Sequence, residues 1–162
     1  MDKKAFLKFC TNIFDENGFY RKGSSFYLDY NEDTLVVFSF VKSAYGAYYY
    51  IEYGLVFKAI NRHLPFPKYN ELDINFERLM TKKGKAIMYE VMAEVECDEL
   101  SGTLQENINH ILSIVAGGKE SIARQCIEKD IAEVAYVLKG TPEYLGLNAD
   151  LFKSKGIAVI DY

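Results

Sequence analysis

A chain of 162 residues and 18.6 kDa is long enough to bury a core, and we expect one domain, 1–162. Its 49% hydrophobic, 26% charged and 15% aromatic residues are typical of a soluble globular protein with an ample core. The net charge of −4 argues against a nucleic-acid partner, because phosphate binding requires clustered lysines and arginines.

The lack of a recognisable targeting signal and the pattern of cysteines favour a cytoplasmic location. No apolar run approaches the roughly 20 residues of a membrane span, and the opening MDKKAFLKFC has no signal-peptide core. Cys10, Cys97 and Cys126 have neither the spacing of a zinc site nor the density of a disulfide scaffold. We therefore expect a cytoplasmic protein with buried free thiols, no membrane association, no metal and no cofactor.

Strand-like alternation dominates the first half of the chain. The stretch Thr34–Ile60 predicts two strands joined by a turn at Lys42–Gly46. From Tyr49 onward the odd positions of the second strand are apolar, whereas its even positions form a mixed face that we expect to meet water or a partner. Shorter strands at 19–21 and 25–30 precede this pair. Short turns between successive strands indicate an antiparallel meander.

Further strands are predicted beyond this meander. Prolines make the segment 64–67 a loop, since proline cannot donate to a strand ladder. Residues Leu72–Arg78 then alternate between apolar even and polar odd positions, which predicts a half-buried strand. The segment 85–97 fits a strand period and a helical stripe, with the strand slightly favoured. A last strand is expected within 156–162.

Helices are predicted at both ends of the chain. Residues 2–16 are amphipathic, with Asp2 as N-cap and Asn17-Gly18 as the stop. Thr103–Glu106 matches a capping box and opens an apolar helical stripe that ends at Gly117-Gly118.

The last part of the chain continues this helical pattern. Residues 121–139 predict a second helix or a broken pair of helices that ends at Gly140, and Thr141-Pro142 is expected to cap a short helical turn. Strands first and helices later predict an α+β fold. We expect a mainly antiparallel meander of four to six strands, packed by an N-terminal helix and C-terminal helices, with the other sheet face partly open.

No catalytic motif is apparent in the sequence. Patterns for a nucleophile elbow, a phosphate loop or a zinc hydrolase are missing. His63 precedes the proline loop and His110 falls within a predicted helix, and neither has metal-ligand spacing to a neighbour. A solvated helix residue is the favoured interpretation of His110, and His63 as a general base is the weaker hypothesis. We assign no catalytic residue and favour a protein that is not an enzyme.

Two surface patterns are candidates for binding. Glu90–Glu106 contains six acids and no lysine or arginine; as a strand, it places Glu90, Glu94 and Glu96 on one face that would attract a basic protein. A solvated edge that resists aggregation is the favoured alternative for this stripe.

The second pattern is rich in tyrosine. Tyr45, Tyr48 and Tyr50 lie beside Lys42 and Ser43, and tyrosines anchor many interfaces. Cross-strand aromatic pairing that only stabilises the sheet is an equally weighted alternative.

Three stretches resemble an uncharacterised bacterial family, domain of unknown function 4304. They are 18–23 with the aromatic pair at 26–27, 41–43 with the strand 49–54, and 73–79. The resemblance covers about the first half of the chain, and Glu52 stands where the family pattern has Asn. It implies no established activity and therefore no catalytic residues.

Three functional hypotheses follow. The leading one is a small binding protein, of immunity type, that holds a protein partner through the tyrosine-rich face or the acidic stripe. The second is an enzyme or small-ligand protein with a pocket between sheet and helices, with Arg21, Lys22 and His63 near its mouth. The third is a homodimer formed across the tyrosine-rich face.

Overall fold

The computed structural model describes residues 2–45, 49–79, 97–128 and 134–161. In these residues an open seven-stranded sheet packs against helices, so the predicted α+β class is confirmed. The strands are β1 (Tyr20–Lys22), β2 (Ser25–Asp29), β3 (Thr34–Lys42), β4 (Tyr49–Phe57), β5 (Ile74–Arg78), β6 (Tyr136–Leu138) and β7 (Ala158–Ile160). The helices are α1 (Lys3–Glu16), α2 (Cys97–Ala116), α3 (Gly118–Ile127), α4 (Thr141–Tyr144) and α5 (Ala149–Ser154).

The strands lie in the sheet in the order in which they occur along the chain. Every neighbouring pair is antiparallel except β6 and β7, which run parallel. The expected meander of four to six strands is therefore extended to seven, because two short strands near the C-terminus join its β5 edge.

Local signals determine α1 as predicted. The Asp2 carboxylate accepts the backbone N–H of Ala5 at 2.8 Å, which satisfies one of the free donors of the first turn. Gly18 has a φ of +82°, the left-handed conformation that ends a helix at little cost only for glycine. The apolar residues at helical spacing, Phe6, Cys10, Ile13 and Phe14, are all buried.

The main core lies between the helices and one side of the sheet, the inner face. The ring of Phe14 on α1 stacks on Phe26 at 4.5 Å and contacts Phe38 at 5.0 Å between ring centres. The odd positions of β4 from Ile51 to Phe57 are buried here, as their alternation predicted. Burial of these large rings supplies most of the apolar area that holds the helices on the sheet.

The opposite side, the outer face, also carries a buried cluster, which the sequence did not reveal. Val56, on the even positions expected to meet water or a partner, is fully buried. It belongs to a second cluster beneath the connection 58–73, where Tyr27 donates its hydroxyl to the Pro67 carbonyl at 3.0 Å. The cluster consists of Tyr27, Leu35, Val37, Val56 and Leu72, with Leu64 packed on it. Toward the β3–β4 hairpin tip, Val41, Tyr50 and Glu52 on this face are half-buried.

The prediction that Thr103 begins a helix with a capping box is wrong. Helix α2 already begins at Cys97, and the Thr103 hydroxyl donates to the Glu99 carbonyl one turn earlier at 2.9 Å. Asp98 and Glu99 occupy the first turn, where carboxylates interact favourably with the helix dipole. Cys97 is exposed, so the expectation of three buried thiols holds only for the other two cysteines. The rest of the ambiguous segment 85–97 lies outside the described residues.

The helix predicted over 121–139 is also wrong at its end. Helix α3 stops at Ile127, and Tyr136–Leu138 forms β6 between β5 and β7. Strand β6 pairs with a strand on each side, and Val137 is completely buried. These tertiary contacts stabilise a strand more than the local sequence favours a helix. Thr141 opens α4 after Gly140 and donates its hydroxyl to the Asp73 carbonyl at 3.2 Å instead of capping a helix. Helix α5 was not predicted, whereas the final strand was.

The polar positions at the start of β5 are buried, whereas the alternation of this strand predicted that it would be half-buried. Asp73, just before the strand, and Asn75 within it are each 2% exposed. The connection 58–73 and β6 cover these polar positions. The structure thereby places a carboxylate and an amide inside the protein, and both line the concave surfaces described next.

Candidate functional site

A groove of about 390 Å³ lies on the outer face, at β4, β5 and β6. We call it the open groove; the side chains that matter to its chemistry are Glu52, Tyr69, Asn75, Arg78 and Tyr136. They come from β4, β5, β6 and the connection before β5. The groove is therefore a product of strand order and register and not of one segment.

A close approach of β5 to β4 aligns the groove. A Cβ on Gly54 would lie 2.0 Å from the Ile74 carbonyl oxygen, so only glycine allows the two strands this close. An irregularity in register between Glu52 and Gly54 then sets Arg78 opposite Glu52.

Arg78 is held in one orientation by two neighbours. Its guanidinium carbon lies 3.8 Å from the centre of the Tyr50 ring, and its Nε lies 3.7 Å from a carboxylate oxygen of Glu52. The arginine side chain is 48% exposed and therefore accessible to a partner. Tyr50 lies opposite Val41 on β3, and its ring stacks on this cation.

The far wall of the open groove is built around one carbonyl. The Tyr136 hydroxyl and the Asn75 amide both donate to the backbone carbonyl of Tyr69, at 2.9 and 3.3 Å. None of these three residues was predicted to bind, and Asn75 was expected only as a polar position of β5. Its burial could not be anticipated, because the partners that a buried amide requires come from other segments.

Three other residues that were expected to bind, Lys42, Ser43 and Tyr45, lie at or near the β3–β4 hairpin tip. Tyr45 is 96% exposed, and its N–H donates to the Ser43 hydroxyl at 3.1 Å, which shapes the turn. Lys42 is exposed at the end of β3, opposite Tyr49. Tyr48 and the acidic stripe residues lie outside the described residues. The stripe residues concerned are Glu90, Glu94 and Glu96.

Arg21, Lys22 and His63 do not share one pocket mouth. Arg21 donates from Nε to the Gly23 carbonyl at 2.9 Å and lines a groove along α1. Lys22 points to the other side of β1, with its Nζ 5.5 Å from the ring centre of Phe66. His63 lines a different cleft, at the Phe57 end of β4. The arrangement expected in the small-ligand hypothesis is therefore not observed.

The cleft that His63 lines, which we call the Asp73 cleft, has a volume of about 500 Å³. The Asp73 carboxylate accepts the Phe57 N–H at 2.6 Å and the Asn61 amide at 3.4 Å. Burial raises the pKa of Asp73 to about 6, and these two donors and the nearby His63 offset part of that rise. A His63 ring nitrogen lies 3.4 Å from a Glu71 carboxylate oxygen.

The remaining chemistry-bearing side chains favour structural roles. Burial raises the pKa of both Cys10 and Cys126 to about 12, so neither thiol is a ready nucleophile. His110 is half-buried instead of solvated as expected; its Nε2 is shielded without a partner, and burial lowers its pKa. Within the described ranges, no three His, Cys, Asp or Glu side chains are grouped to hold a metal ion.

Comparisons place this chain by its family. Among the described residues, no helix has both the length and the apolar character needed to cross a membrane. Neither curated proteins nor solved structures contain a match to the chain. A family model described as domain of unknown function (DUF4304) matches residues 10–135, which extends past the segments that carry the resemblance. The chain therefore belongs to the DUF4304 family.

Proposed function

We propose that this protein is a binding protein that holds a folded protein partner on the open groove and the adjacent hairpin tip. The observation that carries the proposal is the exposed Arg78 side chain, whose guanidinium stacks on Tyr50 at the open groove. Arginine and tyrosine are the side chains most often found as energetic anchors of protein interfaces.

Preorganisation supports this role. Arg78 loses little conformational freedom on binding because Tyr50 and Glu52 already hold it. Tyr69 and Tyr136 rim the same groove, and Tyr45 stands exposed at the hairpin tip at the Tyr50 end of β4. A tyrosine brings a large contact area and a polar hydroxyl at low entropic cost.

The finer proposal is an immunity-type role in the cytoplasm, in which the partner is a toxin. The net charge of −4 favours a basic partner and would speed its encounter. A toxin gene beside the gene for this protein is the expected context. A neighbourhood without any toxin gene, across several genomes, contradicts the immunity role and leaves the binding proposal to the next test.

The test compares matched variants of the purified full chain. Wild type, Arg78→Ala and Arg124→Ala are used to capture partners from the native host, and each captured protein is then titrated in purified form. Arg124 is an exposed arginine on α3, away from the open groove, and serves as the control. We expect a stoichiometric partner that the control retains and that Arg78→Ala binds about 30-fold more weakly, as for an interface anchor. Equal affinity of the three proteins contradicts the proposal.

A homodimer across the same face is the competing function, since a second copy would meet the same Tyr50–Arg78 surface. Sedimentation of the wild type over a wide concentration range decides it. A monomer at every concentration removes the homodimer. Self-association that Arg78→Ala abolishes and Arg124→Ala retains assigns the open groove to a second copy of this chain and not to a different protein.

A further inference from the structure

The Asp73 cleft lies apart from the open groove and has the features of a small-molecule site. It opens beyond the carboxyl ends of the parallel strands β6 and β7, where Leu138 and Ile160 form apolar walls with Ile60. Crevices at the carboxyl ends of parallel strands are frequent ligand sites in α/β proteins. The volume of about 500 Å³ falls in the usual range for such sites.

The buried Asp73 carboxylate supplies an acceptor to this cleft. One oxygen accepts the Phe57 N–H at 2.6 Å. Among the described residues, the other accepts only the Asn61 amide at 3.4 Å, near the limit of a hydrogen bond. An ionised carboxylate has about four acceptor sites, so this pair of donors leaves capacity for a further one. A cationic donor would compensate the buried charge better than a neutral one.

The rim of the cleft carries the opposite charge. Arg62 is exposed there, and in the part of the chain that the structure describes its side chain makes no ion pair or hydrogen bond. Lys139 lies on the same rim, with its Nζ 2.6 Å from a carboxylate oxygen of Asp161. The cleft therefore combines a buried carboxylate, apolar walls and an uncompensated guanidinium at its edge.

We propose that the Asp73 cleft binds a small zwitterion of amino-acid size, with its ammonium on the Asp73 carboxylate and its carboxylate group on Arg62. Each end of such a ligand meets the opposite charge, and the apolar walls accommodate its side chain. The site is distinct from the open groove, so its occupancy does not depend on the binding of a protein partner.

A purely structural role of Asp73 is the competing explanation. Its carboxylate ties the Phe57 end of β4 to Asn61 and so closes the connection 58–73. In that case the cleft shows no preference for a free ammonium group, and Arg62 has no effect on any ligand.

The experiment is calorimetric titration of the full chain with free L-amino acids, followed by the N-acetyl and C-amide derivatives of any amino acid that binds. We expect one-to-one binding by at least one amino acid and a loss of about 10- to 100-fold on N-acetylation or with Asp73→Asn, as for a buried hydrogen bond to a charge. Arg62→Ala should weaken binding by about two- to fivefold, because this pair is exposed. Arg124→Ala is the matched control and should bind as wild type.

Three results overturn the proposal: no amino acid binds at millimolar concentration, N-acetylation leaves the affinity unchanged, or Arg62→Ala and Asp73→Asn both bind as wild type. If Asp73→Asn does not fold, the derivative series on wild type and the exposed Arg62→Ala variant still decide the outcome. Loss of partner capture through Arg78→Ala tests the other surface and has no bearing on this one.

Discussion

Replacing Asp73 by Asn should remove a pH-dependent part of the stability of this protein. The carboxyl is buried beside the end of β4, and burial raises its pKa from 3.8 to about 6. Between these values the folded chain binds a proton that the unfolded chain has released. The free energy of unfolding therefore falls as pH rises from about 4 to about 6, and the cost of the buried charge is fully present above that range.

The structure sets the size of this effect. The interval from 3.8 to about 6 corresponds to about 3 kcal/mol, since one pH unit is worth about 1.4 kcal/mol. Asparagine has nearly the same shape and can still accept the Phe57 N–H, but its amide would face the Asn61 amide. That mismatch costs on the order of 1 kcal/mol at every pH, so the pH-dependent part is separable from it.

Urea unfolding of wild type and Asp73→Asn from pH 4 to pH 7.5 measures this part directly. Relative to the variant, wild type should lose about 2.5 kcal/mol over that range, since part of the change already lies below pH 4. Burial and the nearby Asp33 carboxylate raise the pKa of Tyr144 above its usual value, so this neighbour of Asp73 stays neutral over the whole range in both proteins. Asp15→Asn, at an exposed site on α1, deletes the same charge and is the control. A constant difference between wild type and Asp73→Asn refutes the reasoning.

Two other substitutions test the packing and the thiols. Gly54→Ala should destabilise the fold by about 3 kcal/mol, because the added Cβ would meet the Ile74 carbonyl. Gly102→Ala has open space around it on α2 and should stabilise the fold by about 1 kcal/mol. If thermal unfolding shows the same change in stability for both variants, this account is contradicted. A thiol-alkylating reagent should modify Cys97 in the native protein and leave the two buried thiols until the chain unfolds. Mass spectrometry that finds equal modification of all three contradicts the assigned burial.

Part of the candidate site followed from local sequence, and part did not. Tyr45 and Tyr50 belong to one hairpin, and the exposure of Tyr45 could be anticipated from the turn in which it lies. Arg78 and Tyr136 join them only through the sheet, because strand register and the irregularity near Gly54 decide which distant side chains meet. Register of this kind depends on contacts between segments far apart in the chain, which no local pattern encodes.

By itself, the sequence determined the elements whose signals are local: α1 with its Asp2 cap and Gly18 stop, the β1–β4 meander, and the apolar inner face. Only the tertiary structure decided that 58–73 packs on a second cluster on the outer face, that 136–138 is a strand, and that Asp73 is buried. Caps and two-residue periodicity act over a few residues, and a single segment can satisfy them. Burial of a polar side chain or pairing at a sheet edge requires partners from remote segments, and its free energy exists only once those segments have packed.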